Sequence, residues 1–252
     1  MHSVSPGGDT MRFLKKYILV YVLLLALFVG GAEFLSERSR PSQDAVRLNE
    51  NISRTVVIDP GHGGEDGGAV SPDGTKESVI NLQISLRIDD LFHFLGVQTV
   101  MTRKEDVSIH DASACTVSEK KVSDLKNRAA IVNSVSNGVL LSIHQNMFSD
   151  GKYSGAQVFY APTEDSKNFA EQLQTALREN IDPSNHREAK KSDSVWLMEH
   201  IGCSGVLVEC GFLSNAEETR QLKSSDYQLK LTCVIVSQIT QYLPEETTED
   251  EI

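Results

Sequence analysis

Thr55-Val-Val-Ile-Asp-Pro-Gly-His-Gly-Gly64 sets the architecture expected of this chain. Val56 to Ile58 is a short β-branched apolar run, the pattern of a buried strand. It ends in a turn that presents His62 among small residues. Gly61, Gly63 and Gly64 let the backbone bend sharply and leave room beside the imidazole. A His at the end of a strand, in an open glycine-lined turn, is well placed to hold a metal.

On either side of this stretch, strand and helix signals alternate. A helix is expected from Glu77 to Leu95, with Ile80, Ile84, Ile88 and Leu91 on one side and Gly96 ending it. Val97–Met101 reads as a strand, Leu125–Val135 as a helix and Val139–Ile143 as a strand. Ala156–Tyr160 is a further strand and Ser166–Ile181 a helix. Val206–Val208 is a strand, and Tyr227–Leu243 a closing helix. Such βαβ alternation predicts an α/β domain with a mostly parallel sheet and helices on both faces. Two polar stretches, residues 104 to 124 and 182 to 194, read as long loops. In an open α/β sheet, ligands bind at the carboxyl ends of the strands. His62, His144 and Glu209 all fall there.

These positions form a candidate zinc site. Catalytic zinc usually takes three protein ligands and leaves one position open. His62 and His144, in Leu140-Leu-Ser-Ile-His-Gln-Asn146, offer two nitrogens, and Glu77 offers a carboxylate. Each also has a plain structural explanation. His62 could be a hydrogen-bonded turn imidazole and His144 a satisfied core histidine. Glu77 could serve only the helix dipole, with Thr75 as cap. Glu209 follows Val206-Leu-Val208, where an ionised carboxylate is costly unless paired. It is either a salt-bridge partner or a general base with a pKa raised by a dry environment. Asn146, on the loop after His144, could position substrate or cap a turn. His2, His93 and His110 carry no functional signal. His186 and His200 lie near the active-site loops without a ligand pattern.

The chain has 252 residues and 40% hydrophobic content, enough for one domain with appendages. Its net charge of −11 argues against nucleic acid as the main partner. Residues 1–35 read as a signal peptide or membrane anchor: Arg12, Lys15 and Lys16 precede an uncharged apolar run from Tyr17 to Ala32. Either one delivers the remainder outside the cytoplasm, and an uncleaved segment would also bind the membrane. Residues 36–54 read as a linker, 55–243 as the catalytic domain, and 244–252 as an acidic disordered tail. Cys115, Cys203, Cys210 and Cys233 form no CxxC pair and read as buried free thiols rather than a disulfide framework.

Taken together, Ile58-Asp-Pro-Gly-His-Gly-Gly64, Glu77, Ser142-Ile-His-Gln-Asn146 and Leu207-Val-Glu-Cys-Gly-Phe-Leu-Ser-Asn215 resemble the zinc-dependent N-acetylmuramoyl-L-alanine amidases of type 3. The resemblance runs from residue 55 to about 243. It implies one zinc held by His62, Glu77 and His144, with Glu209 as catalytic acid/base and a six-stranded sheet flanked by helices. The implied substrate is the amide joining N-acetylmuramic acid to L-alanine, on peptidoglycan glycan strands with stem peptides. The single amino-terminal hydrophobic segment, the lack of a wall-binding repeat and Lys120-Lys-Val-Ser-Asp-Leu-Lys-Asn-Arg128 resemble the sporulation subtype. That subtype removes stem peptides so that muramic lactam forms in spore cortex. Trp196-Leu-Met-Glu-His-Ile-Gly-Cys203 departs from the usual apolar-plus-Arg pattern, and an accessory protein that aids zinc or substrate binding fits the subtype. Alternatives are a zinc peptidase acting on the stem peptide and a catalytically silent wall-binding module.

Overall fold

The computed structural model describes residues 54–243. The expected leader, all but the last residue of the linker, and the acidic tail lie outside the described residues. Among the described residues, no helix is long and apolar enough to cross a membrane.

Six strands form one sheet: β1 (Thr55–Pro60), β2 (Thr99–Met101), β3 (Gly138–Asn146), β4 (Gln157–Tyr160), β5 (Lys190–Lys191) and β6 (Ser204–Phe212). Their order is β2-β1-β3-β6-β4-β5. All neighbouring strands are parallel except β4 and β6, which pair antiparallel. The helices are α1 (Glu77–Phe94), α2 (Val117–Ser134), α3 (Glu164–Asn180), α4 (Trp196–Glu199), α5 (Ala216–Leu222) and α6 (Ser225–Tyr242). The mostly parallel, six-stranded α/β architecture is thus as expected.

The central strands are apolar on both faces, as a sheet covered on both sides requires. Val56, Ile58, Leu141, Ile143, Val206 and Val208 pack with the buried residues of α1, α3 and α6. Val57, Leu140 and Leu207 alternate to the opposite face, against Ala129 and Val132 of α2 and Leu197 and Met198 of α4. On that second face the strands turn polar toward their carboxyl ends, where Asp59, Ser142, His144 and Glu209 follow the apolar residues in the same alternation. The first face supplies most of the core, and the second carries the chemistry.

Five local expectations are corrected. The helix expected from Leu125 begins at Val117, because Thr116 accepts a hydrogen bond from Glu119 N while the Glu119 side chain caps Thr116 N. Strand β2 starts at Thr99 rather than Val97. The stretch 182–194 is not all loop, since it holds β5, the sixth strand. Asn146 closes β3 rather than lying on a loop, because its backbone carbonyl accepts from Leu213 N at 2.8 Å. The cysteines are all free, but only Cys210 is buried, and Cys115 and Cys233 are exposed.

Candidate metal centre

His62, Glu77 and His144 come together from three elements, with ligand atoms all within 4.8 Å of one another. Glu77 is the meeting point. His144 Nδ1 donates to Glu77 Oε1 at 2.9 Å, and His62 Nε2 lies 3.4 Å from the same oxygen. Glu77 Oε1 also accepts from Gln145 N, and Glu77 Oε2 from Ala69 N at 2.8 Å. Glu77 therefore does more than complement the dipole of α1. Nor is Thr75 the cap: Lys76 holds that position without a side-chain bond, and Thr75 is engaged by Asp73.

His62 stands two residues beyond β1 with a left-handed φ of 60°. This conformation costs a non-glycine residue roughly 1–2 kcal/mol. Two buried arginines hold the turn that imposes it. Arg128 donates to Asp59 Oδ1 at 2.6 Å, to Pro60 O at 2.8 Å and to His62 O at 2.7 Å. Arg103 donates to Pro60 O at 2.9 Å, to Gly61 O at 3.0 Å and to Ser78 O at 2.9 Å. Every carbonyl from Pro60 to His62 is thereby fixed, and the start of α1 is tied to the same turn. Below it, Asp59 accepts from Thr102 and Ser142, so the polar base of the site is fully paired.

The His62 ring is aimed by Asp66, whose Oδ2 accepts from His62 Nδ1 at 3.0 Å and leaves Nε2 facing Glu77. A carboxylate behind a ligating histidine fixes its tautomer and raises its basicity. Burial alone would lower the His62 pKa, but the hydrogen bonds to Asp66 and Glu77 outweigh it and push it up to about 9. The bond from His62 brings Asp66 down to about 2. Burial would raise Glu77, yet the two imidazoles hold it far below its ordinary value. Asp66 and Glu77 thus create a seat for positive charge at the His62 and His144 nitrogens. Two imidazoles and one carboxylate are a common donor set for catalytic zinc, so the residues fit that ion. The backbone makes room for it. A Cβ at Gly61 would collide with the His144 ring, and one at Gly68 would lie 2.7 Å from His62 Cδ2.

Glu209 lies directly across the β3–β6 ladder from His144. Its side chain therefore projects from the same face of the sheet. Glu209 Oε2 is buried without a hydrogen-bond partner, and among the described residues no cation pairs with it. This excludes the salt-bridge explanation. Burial pushes its pKa up to about 7. A carboxylate that exchanges its proton near neutrality suits general acid–base work.

Asn146 sits at the end of β3, partly buried, and its side chain makes no hydrogen bond among the described residues. His200 stacks on Trp196 at 3.8 Å and lines a groove at the strands' opposite, amino-terminal ends. His110, which gave no sequence signal, helps line a cavity of about 180 Å³ beside His62, with Lys120 and Lys121. Asp66, Arg103 and Arg128 were also missed. Asp66 lay in view within the glycine-rich turn, but the arginines act across 25 to 69 residues of sequence.

Residues 56–241 match the N-acetylmuramoyl-L-alanine amidase family. The germination-specific N-acetylmuramoyl-L-alanine amidase of Bacillus subtilis is 34% identical over 233 residues, covering 91% of this chain and 94% of that protein. The CwlD amidase from Clostridioides difficile, solved in complex with the GerS lipoprotein, is 37% identical with a TM-score of 0.73. That match covers 76% of this chain and 98% of the other. The amidase AmiC2 of Nostoc punctiforme is 28% identical with a TM-score of 0.65, covering 75% of this chain and 97% of that one.

Proposed function

Since the chain belongs to the N-acetylmuramoyl-L-alanine amidase family, we propose that it cleaves the muramoyl–L-alanine amide of peptidoglycan by zinc-assisted hydrolysis. The observation that carries the metal reading is the convergence of His62 Nε2 and His144 Nδ1 on Glu77 Oε1. His62, Glu77 and His144 would hold one zinc. Bound there, zinc supplies Lewis acidity toward the scissile carbonyl and lowers the pKa of water to about 7.

The chain's own residues do the rest. Glu209, opposite His144, takes the proton of the attacking water and returns it to the nitrogen of the departing L-alanine. Asp66 keeps His62 Nδ1 protonated and Nε2 directed inward. Arg103 and Arg128 keep the His62 turn from relaxing when substrate binds. Asn146 lies past His144 on the same edge and positions the substrate.

The relatives support the biological setting of this reading. Likeness to a germination-specific amidase and to CwlD supports a role in spore cortex, with stem-peptide removal preceding muramic lactam formation. The complex of that CwlD with a lipoprotein supports an accessory protein here as well. The amino-terminal apolar run would place residues 55–243 outside the cytoplasm, as an anchored or secreted domain.

The test is mass spectrometry of purified peptidoglycan after incubation with the full chain, with zinc and with chelator. Peptides with a free amino-terminal L-alanine, released only with zinc, are expected. Cleavage within the stem would replace this reading with a peptidase.

A further inference from the structure

Three aromatic rings form an exposed step beside the catalytic residues, on the side away from His62. Phe148 follows His144 by four residues, Phe212 ends β6 three residues past Glu209, and Tyr153 stands between β3 and β4. Ring centroids are 5.1 Å apart for Phe148 and Tyr153 and 5.4 Å for Phe148 and Phe212. Phe212 is fully buried, while Phe148 is 46% and Tyr153 40% exposed. The step is tied down by its backbone. Phe148 N donates to Ser214 Oγ at 3.2 Å, and Asn215 Nδ2 donates to Tyr153 O at 3.2 Å. Phe148 and Tyr153, fixed this firmly over the buried Phe212 yet left nearly half in water, mark a contact surface.

We propose that this step is the glycan subsite of the enzyme. The sugar ring bearing the scissile amide stacks on Phe148 and Tyr153, and the stem peptide leaves on the opposite side, past Lys120 and Lys121. The inference rests on the amidase reading of the site. The strand order β1-β3-β6-β4 places His62, His144, Glu209 and then the aromatic step along one edge. An amide held at the centre of that line has the aromatic step on one flank and the cavity beside His62 on the other, and the two flanks differ in chemistry.

On the aromatic flank the cations are engaged. Arg187 stacks on Phe212 at 4.5 Å and donates to Ser154 O at 2.9 Å and to Gln157 Oε1 at 3.3 Å. Lys152 pairs with Asp150 at 2.8 Å, and its ammonium lies 5.3 Å from the Tyr153 ring. What stays free is ring surface, which suits the C–H face of a neutral sugar. The opposite flank is the cavity of about 180 Å³ with Val117, Lys120 and Lys121 in its wall. Lys120 is paired with Glu65 at 2.7 Å, but Lys121 is only loosely paired, 3.9 Å from Asp66, and is the cation available to the carboxylates that a stem peptide carries.

The test measures binding rather than turnover. A peptide-free tetrasaccharide of alternating N-acetylglucosamine and N-acetylmuramic acid, and separately a free stem tripeptide, are titrated by calorimetry. The proteins are the full chain, Phe148→Ala, Tyr153→Ala and Tyr153→Phe, each with its melting temperature checked. Each alanine variant is expected to bind the tetrasaccharide roughly threefold to tenfold more weakly. Tripeptide binding is expected to stay unchanged, and Tyr153→Phe, which keeps the ring, to match the parent. The proposal is overturned if the parent does not bind the tetrasaccharide, if both alanine variants bind it normally, or if tripeptide binding weakens with it. No cleavage is required, so such a failure leaves the amidase reading standing. A parent that binds glycan through these rings but releases no peptide would instead strike the amidase reading alone.

Discussion

Glu77 is the residue on which the metal reading turns, because both histidines converge on one of its oxygens. Glu77→Ala removes a ligand and the acceptor that orients His144, so its zinc content should fall to a small fraction of the parent's by elemental analysis. Glu209→Gln removes only the titratable group. It should keep a full equivalent of zinc while losing roughly 10²- to 10⁴-fold in turnover of muramoyl peptides. Normal turnover in that variant would end the acid–base role. Asp66→Asn should keep the fold but weaken zinc binding by roughly 10- to 100-fold, as loss of a carboxylate behind a ligating histidine does. Competition with a calibrated chelator measures it. Of these five side chains, the two histidines included, three were legible in the sequence on their own. His62 and Glu209 end apolar runs, and His144 repeats the pattern between them. Glu77 was legible only in their company, because a carboxylate at a helix start is ordinary on its own. Asp66 escaped notice because its function lies in the ring it touches rather than in any run it ends.

The elements that hold the site show where local signals end. Helix α2 begins with two polar turns that have no apolar period; its buried residues are Arg128, Ala129 and Val132. The loop expected up to residue 124 follows from that composition, although the Thr116/Glu119 capping box was in plain view. Strand β5 and helix α4 are shorter than any period that could announce them. The value of α2 is that it delivers Arg128 to Asp59 at 2.6 Å, both essentially buried. Removing one partner of a buried pair leaves the other uncompensated, so Arg128→Met should destabilise the domain by about 3–5 kcal/mol. Burial would raise the Asp59 pKa, but Arg128, Thr102 and Ser142 hold it below 3.8. Ionised Asp59 therefore contributes its full stability above pH 3.8 and loses it as the pH falls through the lower folded value. Without Arg128 the burial effect dominates, the folded pKa rises, and acid relieves the strain instead. The stability gap between parent and Arg128→Met should narrow as the pH drops from about 7 to 4. Urea midpoints across that range would show it, and a gap that stays constant would place the cost elsewhere than in the Asp59 charge.

For the molecule as a whole, the fold class followed from strand and helix signals taken in turn, because every strand but β5 carries an apolar run and α1, α3 and α6 each keep one apolar side. The strand order did not follow. β6 lies between β3 and β4 through pairings that span 46 to 66 residues, and the reversed direction of β4 is settled by its ladder with β6. Changes in composition give the expected limits of the domain, and the packing at its two ends is that of a self-sufficient unit. Leu243 and Ile239 are fully buried at the end of α6, Tyr242 stacks on Phe169 at 4.4 Å, and Arg54 lies 5.2 Å over the same tyrosine. The chain thus enters and leaves the fold at neighbouring points, with its first strand in the middle of the sheet. We expect residues 54–243 to fold alone, with the melting temperature and zinc affinity of the full chain. Ending the chain at Gln238 instead removes Ile239 and Leu243 from the core, at a cost of roughly 2–5 kcal/mol for each. That approaches the total stability of a typical domain, about 5–15 kcal/mol. The shorter chain should therefore be largely unfolded at 37 °C by circular dichroism. A cooperative melt near the parent's would mean that the core closes before α6 ends, and that the last turn of that helix is dispensable.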